Sequence, residues 1–320
     1  MHLQFLLLPL EERRLYFEQV AQRRSLSPVI VEKDFWVCWL LALLFNSQNG
    51  DVLVFKGGTS LSKVFGVIAR FSEDIDLSVS PDSLGLPDIE RLPQVSRNRA
   101  NRWMKEAEAK CAMVVQQEIQ PELERAVTAV LGSSEPAWFE FLTDSTTNSP
   151  VLLFHYPTTQ SPGLKYLNRA VKLEFGSLTD QRPVGRHAIQ PWLVEDIPQA
   201  FADWQCEVVA LELERSFWEK ATILHAEHHR PPDRPTPDRF SRHYADTVAL
   251  ALHPIAGQAI KNVDLRDRVV EWKSRFFGSG WARYDLARPG TFRLVPPPAR
   301  LPALRLDYDA MRDMYLKTPI

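Results

Sequence analysis

The chain has 320 residues, 45% of them apolar and 24% charged, with a formal net charge of −2. That is enough for one large globular domain or two modest ones, and bulk charge announces no nucleic-acid binder, so RNA contact would need a local basic patch. Three widely spaced cysteines, Cys38, Cys111 and Cys206, argue against a disulfide framework or a zinc ribbon.

The first residues, MHLQFLLLPLEERR, carry an apolar run with no basic stretch before it. The most apolar segment, residues 35–45, is about half the length that spans a bilayer. The expectation is a cytoplasmic chain without signal peptide or membrane anchor. Residues 10–24 read as a charged amphipathic helix. Ser27-Pro28 opens a second helix, apolar nearly all round after Asp34 and therefore a core helix. Residues 51–55 read as a short buried strand, Gly57-Gly58 as a turn, residues 59–69 as a helix and 74–79 as a strand. A long charged helix is expected over 97–131, a loop over 132–150, and strands over 151–156 and 169–175, with the Pro162-Gly163 region near their turn. Residues 207–230 read as a helix ended by a proline-rich stretch, and further helices follow at 239–252, 265–277 and 308–315. The predicted fold is α+β, a mixed sheet with flanking helices over residues 1–205, followed by a mainly helical region over 206–320.

The chemistry concentrates in residues 55–77, FKGGTSLSKVFGVIARFSEDIDL. Strand alternation puts Asp74 and Asp76 on one face and Ile75 and Leu77 on the other. Two carboxylates held that close repel, and a hard divalent cation such as Mg2+ (or Mn2+) relieves the repulsion. Gly57-Gly58 lets a ligand approach the backbone, and the start of the next helix suits an anion. Thr59, Ser60 and Lys63 are the expected phosphate donors there. In Val171-Lys-Leu-Glu-Phe175, Glu174 shares a face with Lys172 and is the candidate third carboxylate. Taken singly, a Gly-Gly after a strand is a tight turn and a D-x-D strand is a solvated face. The Walker pattern is not met, because Lys63 lacks a preceding glycine and a following Ser or Thr. Together, in this order, the parts are similar to the nucleotidyltransferase superfamily signature.

The blocks EKDFW (32–36), 55–77, VKLEF (171–175), FWEKATILH (217–225) and SRHYADTVAL (241–250) resemble those of the AbiEii/AbiGii toxin family. The spacing from Gly58 to Asp74 is somewhat longer than in many superfamily members. The resemblance implies a nucleotidyltransferase toxin of a type IV toxin–antitoxin system, with an NTP as donor substrate. It implies that Gly57, Gly58, Thr59 and Ser60 cradle the triphosphate and that Asp74 and Asp76 bind Mg2+. Lys220 is implied as a phosphate-contacting lysine, and Asp246 as an aspartate that positions or deprotonates the acceptor. The acceptor is expected to be the 3′ end of tRNA, and an AbiEi-like antitoxin is an expected partner without obligatory contact. A small-molecule or protein acceptor, or a non-enzymatic nucleotide- or RNA-binding module, is the alternative.

Without the family, Lys220 reads as a solvated charge and Asp246 as a partner for Arg242 one turn back. Arg239, Arg242 and His243 form a small basic group that suits an RNA backbone or an exposed face. Arg70 has the same two readings. His225 and His228 stand at a zinc-compatible spacing, but HExxH is absent and a polar helix end is the plainer reading.

Overall fold

The computed structural model describes residues 4–86, 96–160 and 169–316. The chain opens with α1 (Leu10–Arg24), whose Glu11 and Glu12 at the start and Arg23 and Arg24 at the end complement the helix dipole. α2 (Pro28–Phe45) follows, with Pro28 in its first turn and nearly every side chain buried. β1 (Leu53–Lys56) leads straight into the short α3 (Gly57–Lys63), and β2 is Ile75–Val79. The helix expected over 59–69 is thus shorter, about two turns over Gly57–Lys63, and Gly66 adopts a left-handed φ of 62° beyond it.

α4 (Arg97–Val114) continues through a π turn, Val115–Ile119, into α5 (Gln120–Leu131). β3 (Phe139–Thr143) falls where a loop was expected. β4 (Pro150–Phe154) and β5 (Val171–Gly176) match the two expected strands; Pro162-Gly163 lies outside the described residues. β6 (Val184–Ala188), α6 (Trp192–Asp196) and β7 (Glu207–Leu211) precede α7 (Leu213–His228). The remaining helices are α8 (Ser241–Leu252), α9 (Ile255–Lys261), α10 (Val263–Phe276) and α11 (Leu301–Ala310).

The fold is the expected mixed α/β type. The described residues form a seven-stranded mixed sheet in the order β3-β4-β5-β2-β1-β7-β6. β2 is antiparallel to β1 and parallel to β5, and β7 runs parallel to β1 through Phe55 opposite Ala210. The helix reading of residues 207–211 is therefore corrected. Glu207, Ala210 and Leu211 suit a helix, but Val208 and Val209 suit a strand, and pairing with β1 and β6 decides for the strand. As a result, the strand just after residue 205 belongs to the same sheet as β1 and β2.

Two apolar clusters frame the sheet. One joins α1 and α2 with the strands and the α4–α5 helix, and buries Trp36, Trp39, Cys111 and Cys206; Cys38 is buried as well. The other joins Leu61 to α7, α9 and α10, with Trp218 inside it. His225 and His228 spend their rings on the backbone rather than on zinc. His225 contacts Arg283 O at 2.9 Å and accepts from Arg293 N at 3.1 Å, and His228 contacts Val295 O at 2.8 Å. No described helix is long and apolar enough to cross a membrane.

Candidate active site

Strand register assembles the first half of the site. Lys56 on β1 stands opposite Asp76 on β2, and Asp76 is in register with Glu174 on β5. Gly57 turns the chain from β1 into α3 with a φ of 80°. The Asp76 carboxylate lies against it, so a Cβ at Gly57 would run into that carboxylate. A Cβ at Gly58 would meet Arg70 Nη2 at 2.6 Å and Ser72 Oγ at 2.8 Å. The two glycines are required here by the approach of the protein's own charged side chains.

The hydroxyls expected at the phosphates are turned inward. Thr59 Oγ1 donates to Asp74 O at 2.5 Å, and Ser60 Oγ donates to Gly57 O at 2.9 Å; both residues are buried. Thr59 therefore fastens the backbone from which the Asp74 side chain projects. Lys63 is also corrected. Its ammonium pairs with Asp34 on α2 and lies over the Trp192 ring at 4.6 Å, away from the cleft. Asp34 also accepts from Trp192 N at 2.8 Å.

Asp74 directly precedes β2, half-buried like Asp76. Burial, then the neighbouring Glu73 carboxylate, pushes the Asp74 carboxyl up, against the pull of Lys33, Lys172 and Arg242. Among the described residues neither the Asp74 nor the Asp76 carboxylate has a hydrogen bond or ion pair. Glu174 differs: Lys172 Nζ holds it at 2.7 Å, and Thr147 Oγ1 approaches at 3.4 Å. Burial lowers the Lys172 ammonium's pKa, but Glu174, with Asp74 and Asp144, outweighs that and raises it. Among the described residues no group of three or more His, Cys, Asp or Glu side chains is arranged to hold a metal ion. The expected three-carboxylate set is thus a free pair plus a carboxylate already held by lysine.

The second half of the site comes from α7 and α8. Asp246 is 1% exposed and is gripped by Arg70 through Nε at 2.8 Å and Nη2 at 2.9 Å, and by Lys220 Nζ at 2.8 Å. Burial alone would raise its pKa. Lys220 and Arg70 outweigh burial and hold the carboxyl well below the usual range. Its partners are therefore Arg70 and Lys220, not Arg242, and so firmly ionised a carboxylate is a poor base. Burial lowers the Lys220 pKa, partly offset by Asp246. His243 Nδ1 lies 3.3 Å from Lys220 Nζ, and burial followed by the Lys220 charge pushes the imidazole pKa well down.

These residues meet in one cleft of about 670 Å³, lined by Lys56, Gly57, Gly58, Asp74, Asp76, Lys172, Glu174, Lys220 and Arg242. Glu219 and Lys273 pair at its wall at 2.6 Å. A larger cavity of about 900 Å³, mostly apolar, shares Arg70 with it but contains neither Asp74 nor Asp76.

A family model described as "Nucleotidyl transferase AbiEii toxin, Type IV TA system" matches residues 39–319. The chain belongs to this family. AbiEii proteins are nucleotidyltransferase toxins of type IV toxin–antitoxin systems, and the cleft is the candidate active site of this member. Nothing among curated proteins matches the sequence. Among solved structures, MenT4, a nucleotidyltransferase toxin from Mycobacterium tuberculosis H37Rv, is similar at 18% identity, with 94% of each chain covered and a TM-score of 0.46.

Of the residues expected in this AbiEii site, Gly57, Gly58, Asp74, Asp76, Glu174 and Lys220 line the cleft, while Asp246 stands behind Lys220. Thr59, Ser60 and Lys63 support it from outside. Sequence reasoning passed over Lys56, which precedes the glycines, because only the β1–β2 register reveals that it faces Asp76. Of the basic group expected on this helix, Arg242 reaches the cleft and His243 is spent on Lys220, while Arg239 precedes α8 and lies 3.8 Å from Glu73.

Proposed function

We propose that this AbiEii chain transfers a nucleoside monophosphate from an NTP to a hydroxyl at the 3′ end of tRNA, with Mg2+ or Mn2+ as cofactor. The observation that carries the reading is the pair of unpartnered carboxylates, Asp74 and Asp76, in a cleft otherwise rich in cations. Carboxylates that no side chain of the described residues hydrogen-bonds or pairs suit a hard cation that keeps phosphate oxygens among its ligands. Asp74 and Asp76 would hold it, with Glu174 close by through the β2–β5 register. Such a cation, when bound, polarises the α-phosphate and lowers the pKa of the attacking hydroxyl.

The protein's own groups position the rest. Lys220, held by Asp246, presents its ammonium to phosphate oxygens as charge develops there. Arg70 locks Asp246 from the other side, so Lys220 is aimed before substrate arrives. Asp246 positions this ammonium and does not act as base. The acceptor oxygen attacks the α-phosphorus in line, the bond to the β-phosphate oxygen breaks, and pyrophosphate leaves. Arg242, on the same helix as Asp246, offers the acceptor strand a phosphate contact at the cleft. An AbiEi-like antitoxin is the expected regulatory partner, without direct contact being required.

The test is incubation of the protein with Mg2+, each labelled NTP in turn and total tRNA, with Asp74→Ala as control. Label in tRNA with the unaltered protein alone supports the reading. Label in a small molecule or in protein instead, or NTP binding with no transfer, overturns the choice of acceptor or of reaction respectively.

A further inference from the structure

The lysine that the sequence suggests for phosphate binding, Lys63, is committed to Asp34. A different lysine is available. Lys56 is the last residue of β1, half-buried at the cleft wall, and opposite Asp76 in an antiparallel pair, which puts both side chains on one face of the sheet. Among the described residues its ammonium has no hydrogen bond and no ion pair. Of the other cations lining the cleft, Arg70 and Lys220 are answered by Asp246, Lys172 by Glu174 and Lys273 by Glu219, while Arg242 on α8, like Lys56, has no ion pair among the described residues.

Two features explain why Lys56 stays free. The Asp76 carboxylate leans against Gly57 instead of toward its cross-strand neighbour. The lysine side chain runs toward Gly176 at the end of β5, where a Cβ would lie 3.8 Å from Cε and 3.9 Å from Nζ. An ammonium drawn partly out of water without a counter-charge is unfavourable. So is a close pair of carboxylates without a cation. Both are relieved at once by a ligand that brings a divalent cation to the aspartates and anionic oxygens to the lysine.

We infer that Lys56 binds the polyphosphate of the donor NTP. This rests on the reading of the cleft as a nucleotidyltransferase site and adds a residue to it. Lys56 grips oxygens beyond the α-phosphorus, on the departing pyrophosphate, while Lys220 serves from the helical side. The assignment predicts selectivity by phosphate number: Lys56 recognises inorganic tripolyphosphate and an NTP but contributes little to a nucleoside monophosphate.

The experiment is calorimetric titration of the full chain, in Mg2+, with an α,β-methylene NTP analogue, with inorganic tripolyphosphate and with the monophosphate. It compares Lys56→Met and Lys56→Arg with the unaltered protein. Lys56→Met should weaken the analogue and tripolyphosphate roughly tenfold or more and leave monophosphate affinity and melting temperature unchanged. Lys56→Arg should recover most of the loss. Equal affinities in Lys56→Met overturn the assignment, as does equal weakening of all three ligands. If the unaltered protein binds neither analogue nor tripolyphosphate, the nucleotidyltransferase reading of the cleft falls with it. Selective loss in Lys56→Met with no transfer to any acceptor keeps Lys56 as a polyphosphate ligand and overturns only the proposed reaction.

Discussion

Glu32, Lys33 and Asp34 on α2 are 0%, 1% and 2% exposed, and each is answered by the protein. Glu32 accepts from Thr158 Oγ1 at 2.6 Å and Thr159 N at 2.7 Å; Lys33 pairs with Glu73 at 2.5 Å; Asp34 pairs with Lys63. Asp74 and Asp76 are more open to solvent, and their carboxylates have no partner among the described residues. Both groups stand in sequence blocks that resemble the family, so block membership does not separate their roles. Partnering does. Deeply buried charges must be satisfied internally or the fold fails, whereas half-exposed charges can remain open for a ligand. The EKD run is architecture: through Glu73 and Lys63 it braces the strand and the helix that present the aspartates.

The contrast can be broken most forcefully at Asp76. Asp76→Ala should reduce transfer by roughly a thousandfold or more while leaving the melting temperature within a few degrees of the unaltered protein. Label incorporation and thermal denaturation read the two halves of this statement. A large drop in melting temperature would place Asp76 with the architectural set.

Lys33→Met should do the reverse. Removing one partner of a buried pair leaves Glu73 with the longer contact to Arg239 at 3.8 Å, at a cost approaching about 3–5 kcal/mol. Chemical denaturation should show that loss, and the double variant Lys33→Met with Glu73→Gln should recover part of it. Lys63→Met should behave alike by stranding Asp34, and the folded fraction should bind the NTP analogue as well as the unaltered protein does. Weakened binding in that fraction would return Lys63 to the phosphate site.

Acid titration sharpens the comparison within the cleft wall. Burial raises the Glu219 carboxyl, but Lys273 and Arg215 outweigh it and bring its pKa to about 2. An unfolded glutamate titrates near 4.3. The folded value is the lower one, so Glu219 contributes stability above about pH 4.3 that is lost as pH falls toward 2. Denaturation midpoints should decline across that window, and Glu219→Gln should flatten this part of the decline. The smallest effect is expected at Ser60. Ser60→Ala removes one hydroxyl bond to Gly57 O, costing about 1 kcal/mol of stability, with KM for NTP unchanged.

Much of the site was legible because its signals are local. Alternation alone put Asp74 and Asp76 together, and Gly57-Gly58 announced a close approach. Their reason for being glycine was different, since the Asp76 carboxylate and Arg70, rather than a ligand, occupy the space above them. β3 was missed because five residues between turn-forming stretches give little period to read. β7 merges in sequence with the start of α7 because no turn residue stands between Glu207 and the helix, and its pairing with β1 is non-local.

By itself, then, the sequence determined the fold class, the family, the β1–α3–β2 unit and the pairing of the two aspartates on one face, because side-chain periodicity and turn chemistry act between near neighbours. Tertiary structure alone decided who answers whom. Asp246 meets Arg70 across 176 positions and Lys220 across 26, and Lys63 turns away to Asp34. Lys56 is left open by a register that brings it to Asp76. Charges act through space, and in a folded chain the separation that sets their energy bears no fixed relation to their separation along the sequence.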